Sequence, residues 1–141
     1  MLEKSCGTVL FTRKDGKILY LLTKAPVDGY CGFPKGHMEG NEIEEQTAYR
    51  ETWEETSIKA NIDTAFRAET QYMLKNGNLK IVVYFLGEFS DQMPKHNEGF
   101  ETLNYLLLPF ERARRALTFE NAKDILTRAD AYIHQKYKDQ I

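Results

Sequence analysis

One stretch, Gly36 to Ile58 (GHMEGNEIEEQTAYRETWEETSI), constrains this chain more than any other. It starts at Pro34-Lys35-Gly36-His37, which reads as a turn because Pro34 and Gly36 both disfavour regular structure. From Asn41 to Ile58 there is neither Gly nor Pro. Asn41 is a good N-cap, and Glu42, Glu44 and Glu45 put negative charge where a helix start favours it. The stretch therefore reads as a loop followed by a helix over about residues 42 to 56.

On that helix Glu51 precedes Glu54 by three positions and Glu55 by four, spacings that bring side chains together on one face. Glu44, seven before Glu51, extends the stripe. Close carboxylates repel at neutral pH unless a cation or a base lies between them. Hard divalent cations such as magnesium favour oxygen ligands of this kind. The opposite face, Ile43, Thr47, Ala48 and Thr52, is weakly apolar and suits packing on a sheet. Arg50 can orient the Glu51 carboxylate through a charge-assisted hydrogen bond. The spacing alone does not establish a metal site, because glutamates are good helix formers and a Glu-rich face is commonly just solvated.

The rest of the chain narrows the partners. Its 141 residues fit one domain, 1–141, with a sizeable core. The net charge of −2 provides no basic field to attract nucleic acid or an anionic membrane. A phosphate-rich ligand would have to be drawn by local Lys, Arg and metal. Cys6 and Cys31 have no metal-knuckle or disulfide-framework spacing and read as free thiols of a reducing compartment. No apolar run is long enough to span a bilayer, and no signal-like segment follows Met1, so a cytoplasmic monomer is the expectation.

Residues 4–13 (KSCGTVLFTR) read as a strand, Asp15-Gly16 as a hairpin turn, and Lys17 to Lys24 as the antiparallel partner. A loop over 25–29 leads to a short strand at 30–33. After the helix, 59–75 reads as extended, Asn76-Gly77-Asn78 as a second hairpin turn, and Lys80 to Phe89 as a central strand buried on both faces. A polar loop over 90–99 precedes a last strand over 103–108, a short helix over 110–116 and a longer one from Glu120 to Tyr137. Strands and helices interleaved in this way give an α/β fold with helices on both faces of a mixed sheet.

The order Gly36, Glu42, Arg50, Glu51, Glu54, Glu55 and Ile58 at these spacings resembles the Nudix hydrolase signature, the Nudix box here spanning 36–58. Two positions depart from it: Thr52 stands where an aliphatic residue is usual, and Ser57 where Gly is usual. Thr52 puts a hydroxyl on the packing face that needs a partner such as a backbone carbonyl, and Ser57 makes a left-handed helix end costly. The resemblance implies an α/β/α sandwich and a magnesium-dependent pyrophosphohydrolase, with manganese as the alternative ion. It implies Glu51, Glu54 and Glu55 as metal ligands, the Gly36 carbonyl as a further ligand, and Glu42 and Arg50 as ties between loop and helix. Glu51, Glu54 or a carboxylate of a later loop would be the general base; Glu98 is the match for that loop, with Glu101 as the second choice.

Within the family, Phe33-Pro34-Lys35-Gly36-His37 is similar to the Pro-Lys-Gly-His element of the asymmetric diadenosine tetraphosphate hydrolases. That likeness implies a nucleotide substrate cleaved to a triphosphate and a monophosphate. It implies Lys35 at a phosphate oxygen, His37 as a further substrate-binding residue, and Tyr84 and Phe119 around an adenine. Tyr84 on a central strand and Phe119 before a helix are, by position alone, each more often core residues than stacking ones. Other substrates remain open on the same signature: an RNA 5′ end, a nucleoside triphosphate or a diphosphoinositol phosphate, for which Lys75, Lys80 and Lys95 offer local positive charge. A nucleotide-binding module without catalysis is the alternative of a different class.

Overall fold

The computed structural model describes residues 1–100 and 102–140. Seven strands form one mixed sheet: β1 (Leu2–Lys14), β2 (Lys17–Lys24), β3 (Cys31–Gly32), β4 (Lys35–His37), β5 (Asn61–Met73), β6 (Leu79–Glu88) and β7 (Asn104–Leu108). Three helices among the described residues complete it: α1 (Glu44–Thr56), α2 (Phe110–Ala116) and α3 (Glu120–Lys136). The order is β3-β2-β1-β6-β5, with β4 added to β1 and β7 to β2. Among the described residues only the β1–β6 pairing is parallel.

Side-chain alternation along β1 and β6 explains the layers. Val9 and Phe11 of β1, with Val82, Tyr84 and Leu86 of β6, pack with Ile125, Leu126, Ala129 and Ile133 of α3. The intervening Cys6, Val83 and Phe85 meet Ala48 of α1 on the other face. The apolar run of β6 is thus buried on both sides, as a central strand requires. The result is an α/β/α sandwich. No helix among the described residues is long and apolar enough to cross a membrane.

The sheet divides in the middle of β1, and that division positions everything functional. Leu10–Lys14 pairs with β2, whereas Ser5–Gly7 pairs with β4. Between them Thr8 N–H donates to the Pro34 carbonyl at 3.1 Å. A Cβ on Gly7 would overlap Pro34 O and stand 2.6 Å from Lys35 Cβ, so only glycine admits this approach. Lys35-Gly36-His37, expected as a turn, is therefore a short strand: ladder partners on β1 outweigh the local preference of Pro34 and Gly36.

Helix α1 also begins later than expected. Its N-cap is Ile43, not Asn41, and the cap has no side-chain hydrogen bond; instead Ile43 N–H donates to Gln46 Oε1 at 2.9 Å. Glu42 lies outside the helix because its carboxylate is engaged by Glu39 N–H, Thr47 and Arg50. Thr47, Ala48 and Thr52 do face the sheet, but Ile43 is 61% exposed. The Thr52 hydroxyl finds its partner in the Thr8 hydroxyl at 2.8 Å rather than in a carbonyl. Ser57 does adopt the left-handed conformation at the helix end, φ 63°, and its hydroxyl donates to the Lys95 carbonyl at 3.1 Å.

Candidate active site

Arg50 organises the carboxylates. Its Nε and Nη2 hold Glu42 at 2.6 and 2.9 Å, Nη2 also reaches the His37 carbonyl at 2.9 Å, and Nη1 reaches Glu51 at 2.8 Å and Glu54 at 3.1 Å. The loop after β4 is thereby tied to the helix by the planar fork of one guanidinium. Those hydrogen bonds hold the Glu42 carboxyl at about 2. Burial pushes the Glu51 carboxyl above its ordinary value, with Arg50 pulling the other way and the charge of Glu54 adding to the rise. Glu44 does not belong to this group. Two turns before Glu51 on the same face, it pairs with Lys4 of β1 at 2.5 Å and Arg67 of β5 at 2.8 Å, cations that the sheet brings to it.

Gly36 sits directly against Glu51. A Cβ there would overlap the Glu51 carboxyl group, so the backbone of β4 and that carboxylate share a space no side chain can enter. The fit to a divalent cation rests on this chemistry: half-buried oxygen donors, a like-charged neighbour and a backbone brought close by a glycine. It is a fit of donors rather than a preformed cage. No group of three or more His, Cys, Asp or Glu among the described residues is drawn together as a metal site, because Glu51 and Glu54 both lean on Arg50.

Beside the carboxylates lies a cavity of about 680 Å³. Lys35 and Glu55 line it, which connects it to the loop and the acidic helix. Tyr84 also lines it, but only 5% of the residue is exposed, and its ring packs edge-on against Phe33 at 5.3 Å. Phe119 is 54% exposed and pairs with Tyr30, centroids 5.4 Å apart and tilted by 54°. Tyr84 and Phe119 thus share one cavity, while the ring beside Phe119 is Tyr30. Tyr30 was missed by sequence reasoning; the signal was an aromatic in a Pro- and Gly-containing loop, where core packing has no claim on it. Thr70, Tyr72 and Asn121 also line the cavity and carried no sequence signal.

His37 points elsewhere. Its side chain is 64% exposed and contacts Lys80 Nζ at 2.9 Å and Glu3 at 3.4 Å, and it does not line the cavity. Lys80 is 5% exposed, so it is not the free surface cation the sequence offered; burial, then repulsion from Lys35, lowers its pKa. Glu98 is exposed in a turn. Its loop is fastened to the end of α1: Asn97 Nδ2 donates to the carbonyls of Trp53 at 2.6 Å and Glu54 at 3.2 Å, and Lys95 N–H to that of Thr56 at 2.9 Å. Glu101 lies outside the described residues.

An acidic helix locked to the loop after a short glycine-bearing strand, opening beside a lysine and a ligand-sized cavity, is the layout of a hydrolase of phosphoric anhydrides. The NUDIX domain model matches residues 1–129, and the chain belongs to the Nudix family. It is a pyrophosphohydrolase of that family, whose members generally use a divalent cation. The mouse asymmetrical bis(5′-nucleosyl)-tetraphosphatase is 31% identical, the alignment covering 94% of this chain and 97% of that protein. The rat enzyme of the same name is 29% identical over the same shares. Among solved structures, a Caenorhabditis elegans Ap4A hydrolase binary complex superposes with a TM-score of 0.85 at 27% identity, covering 94% of this chain and 98% of that one.

Proposed function

We propose that this chain cleaves dinucleoside polyphosphates such as diadenosine tetraphosphate, with magnesium or in its place manganese, to a nucleoside triphosphate and a monophosphate. The observation that carries the reading is the placing of Lys35 and Glu55 on one cavity, with Glu51 and Glu54 on the adjoining helix face. The likeness to the mouse enzyme over nearly its whole length supports the substrate class.

Glu51, Glu54 and Glu55 would hold the cation, with the Gly36 carbonyl. A divalent ion there supplies charge for the phosphate oxygens and lowers the pKa of water. The chain's own residues do the rest. Arg50 fixes Glu51 and Glu54 in orientation and keeps their charge balanced before substrate arrives. Lys35 binds a phosphate oxygen in the cavity. A carboxylate takes the proton of the attacking water, and the bridging oxygen leaves with the triphosphate. Glu51, whose pKa is raised, Glu54, and Glu98 on the loop fastened to the end of α1 are the candidates for that proton. The exposed aromatics Tyr30 and Phe119 offer a base a stacking surface.

The test is product analysis of diadenosine tetraphosphate with magnesium for the wild type, Glu55→Gln and Glu98→Gln. ATP plus AMP from the wild type and none from Glu55→Gln is the expected result. Two ADP molecules, or undiminished turnover by Glu55→Gln, would overturn the reading.

A further inference from the structure

Ser57 stands where a glycine is usual in the family, and it stands there at a conformational cost. It ends α1 with φ 63°, a left-handed conformation that glycine adopts freely and serine does not. A strained residue of this kind persists only where its surroundings hold it. Here the surroundings are the loop after β6. Ser57 Oγ donates to the Lys95 carbonyl at 3.1 Å, and Lys95 N–H donates to the Thr56 carbonyl at 2.9 Å. Two residues on, Asn97 Nδ2 donates to the carbonyls of Trp53 at 2.6 Å and Glu54 at 3.2 Å. The acceptors are all carbonyls, which have no hydrogen to give. The Ser57 hydroxyl and the Asn97 amide therefore have one workable orientation each, as donors.

Glu98 is what this strap carries. Asn97 opens a tight turn: Phe100 N–H donates to the Asn97 carbonyl at 3.2 Å, and Gly99 takes φ 91°. Glu98 is the first of the two central residues. Its backbone is thus fixed by a closed turn whose opening residue is bonded to the carbonyl of Glu54.

We propose that Ser57 and Asn97 are positioning residues that hold the Glu98 turn against the end of α1, so that the Glu98 carboxylate keeps its place relative to Glu54 and Glu55. This rests on the reading of Glu98 as an acceptor of the water's proton. The metal-binding glutamates ride on a helix, whereas Glu98 rides on a loop, and a proton acceptor displaced by about 1 Å costs on the order of 100-fold in rate. The strap makes the helix end and the turn one body. Loosening it leaves the rest of the loop in place, because the Gln92 amide is bonded in both directions to the Lys59 backbone, at 2.8 and 3.1 Å.

The experiment is steady-state cleavage of diadenosine tetraphosphate with magnesium by the wild type, Ser57→Gly, Ser57→Ala, Asn97→Ala, Glu98→Gln and the Ser57→Gly/Glu98→Gln double variant. Thermal melting and amide hydrogen exchange over residues 92–100 accompany it. Ser57→Gly and Ser57→Ala both remove the tie, but only glycine relieves the strain. Both should lose kcat on the order of tenfold with KM near the wild-type value. Ser57→Gly should nonetheless melt at or above the wild type, and Ser57→Ala below it. Asn97→Ala should lose kcat in the same way, and exchange over 92–100 should quicken in all three. In the Glu98→Gln background Ser57→Gly should change kcat no further. Turnover that followed melting temperature across the variants, the mark of a merely structural cap, would overturn the proposal. So would unchanged exchange, an equal Ser57→Gly loss with and without Glu98, or full turnover by Glu98→Gln. The last result would leave the cleavage reaction standing. Two ADP molecules as product, with the Ser57→Gly loss still confined to the background that keeps Glu98, would strike that reaction and support this proposal.

Discussion

The two halves of the site are built by opposite means. The carboxylate half comes from neighbouring chain: Gly36 on β4, Glu42 on the loop after it, and Arg50, Glu51 and Glu54 on α1, with one guanidinium fixing the three carboxylates. The cavity half draws on β5, β6, the loop before β3 and the start of α3, and its recognition surfaces are aromatic and half exposed. The difference teaches what each half tolerates. Charges at close range are held by mutual geometry, so losing one disturbs all the others. Exposed rings gain little from the fold, so losing one costs binding alone.

Arg50→Met tests the first half most severely. It leaves Glu42, Glu51 and Glu54 close together without their shared counter-charge. Loss of turnover together with a fall of several degrees in melting temperature is the expected outcome. A variant that melted like the wild type would show the network to be expendable for the fold. Gly36→Ala comes next. Its methyl would displace the Glu51 carboxyl, and turnover should fall on the order of 100-fold with the fold retained, read by kinetics beside circular dichroism. Phe119→Ala tests the other half. Nucleotide affinity should weaken by about tenfold, one stacking contact, while kcat and the melting temperature stay near the wild-type values. A drop in kcat equal to that of Gly36→Ala would dissolve the contrast between the halves.

Acid gives the smallest effect. Arg50 holds Glu42, and Arg67 with Lys4 holds Glu44, at about 2, below the ordinary 4.5. A depressed carboxyl contributes stability above its unfolded pKa and loses it as pH falls through the folded one. The urea midpoint should therefore decline between about pH 4.5 and 2. Glu51, raised by burial, acts in the opposite sense and softens the decline. In Arg50→Met the Glu42 share of this dependence should disappear.

The same contrast accounts for what was legible. Strands β2 and β6, helix α2 and the two hairpin turns follow from alternation and turn residues, because those signals are local. Strand β4 was not legible, since its ladder is with β1, about thirty residues away in sequence, and the local turn residues spoke against it. The start of α1 shifted to Ile43 because Arg50, eight residues on, claims the Glu42 carboxylate that local reasoning assigned to the helix. Glu44 looked like part of the acidic stripe until β5 brought Arg67 to it.

By itself the sequence determined the acidic helix and the spacing of the glutamates, because a helix converts fixed separations into one face without help from the rest of the chain. Tertiary structure alone decided which aromatics stand open and which polar pair lines the cavity. Tyr84 and Phe119 look alike in a sequence; the sheet buries the first and the edge of α3 exposes the second. Thr70 and Asn121, with no local signal between them, become partners only when β5 and α3 close on the same cavity, since burial and juxtaposition across fifty residues are properties of packing rather than of any segment.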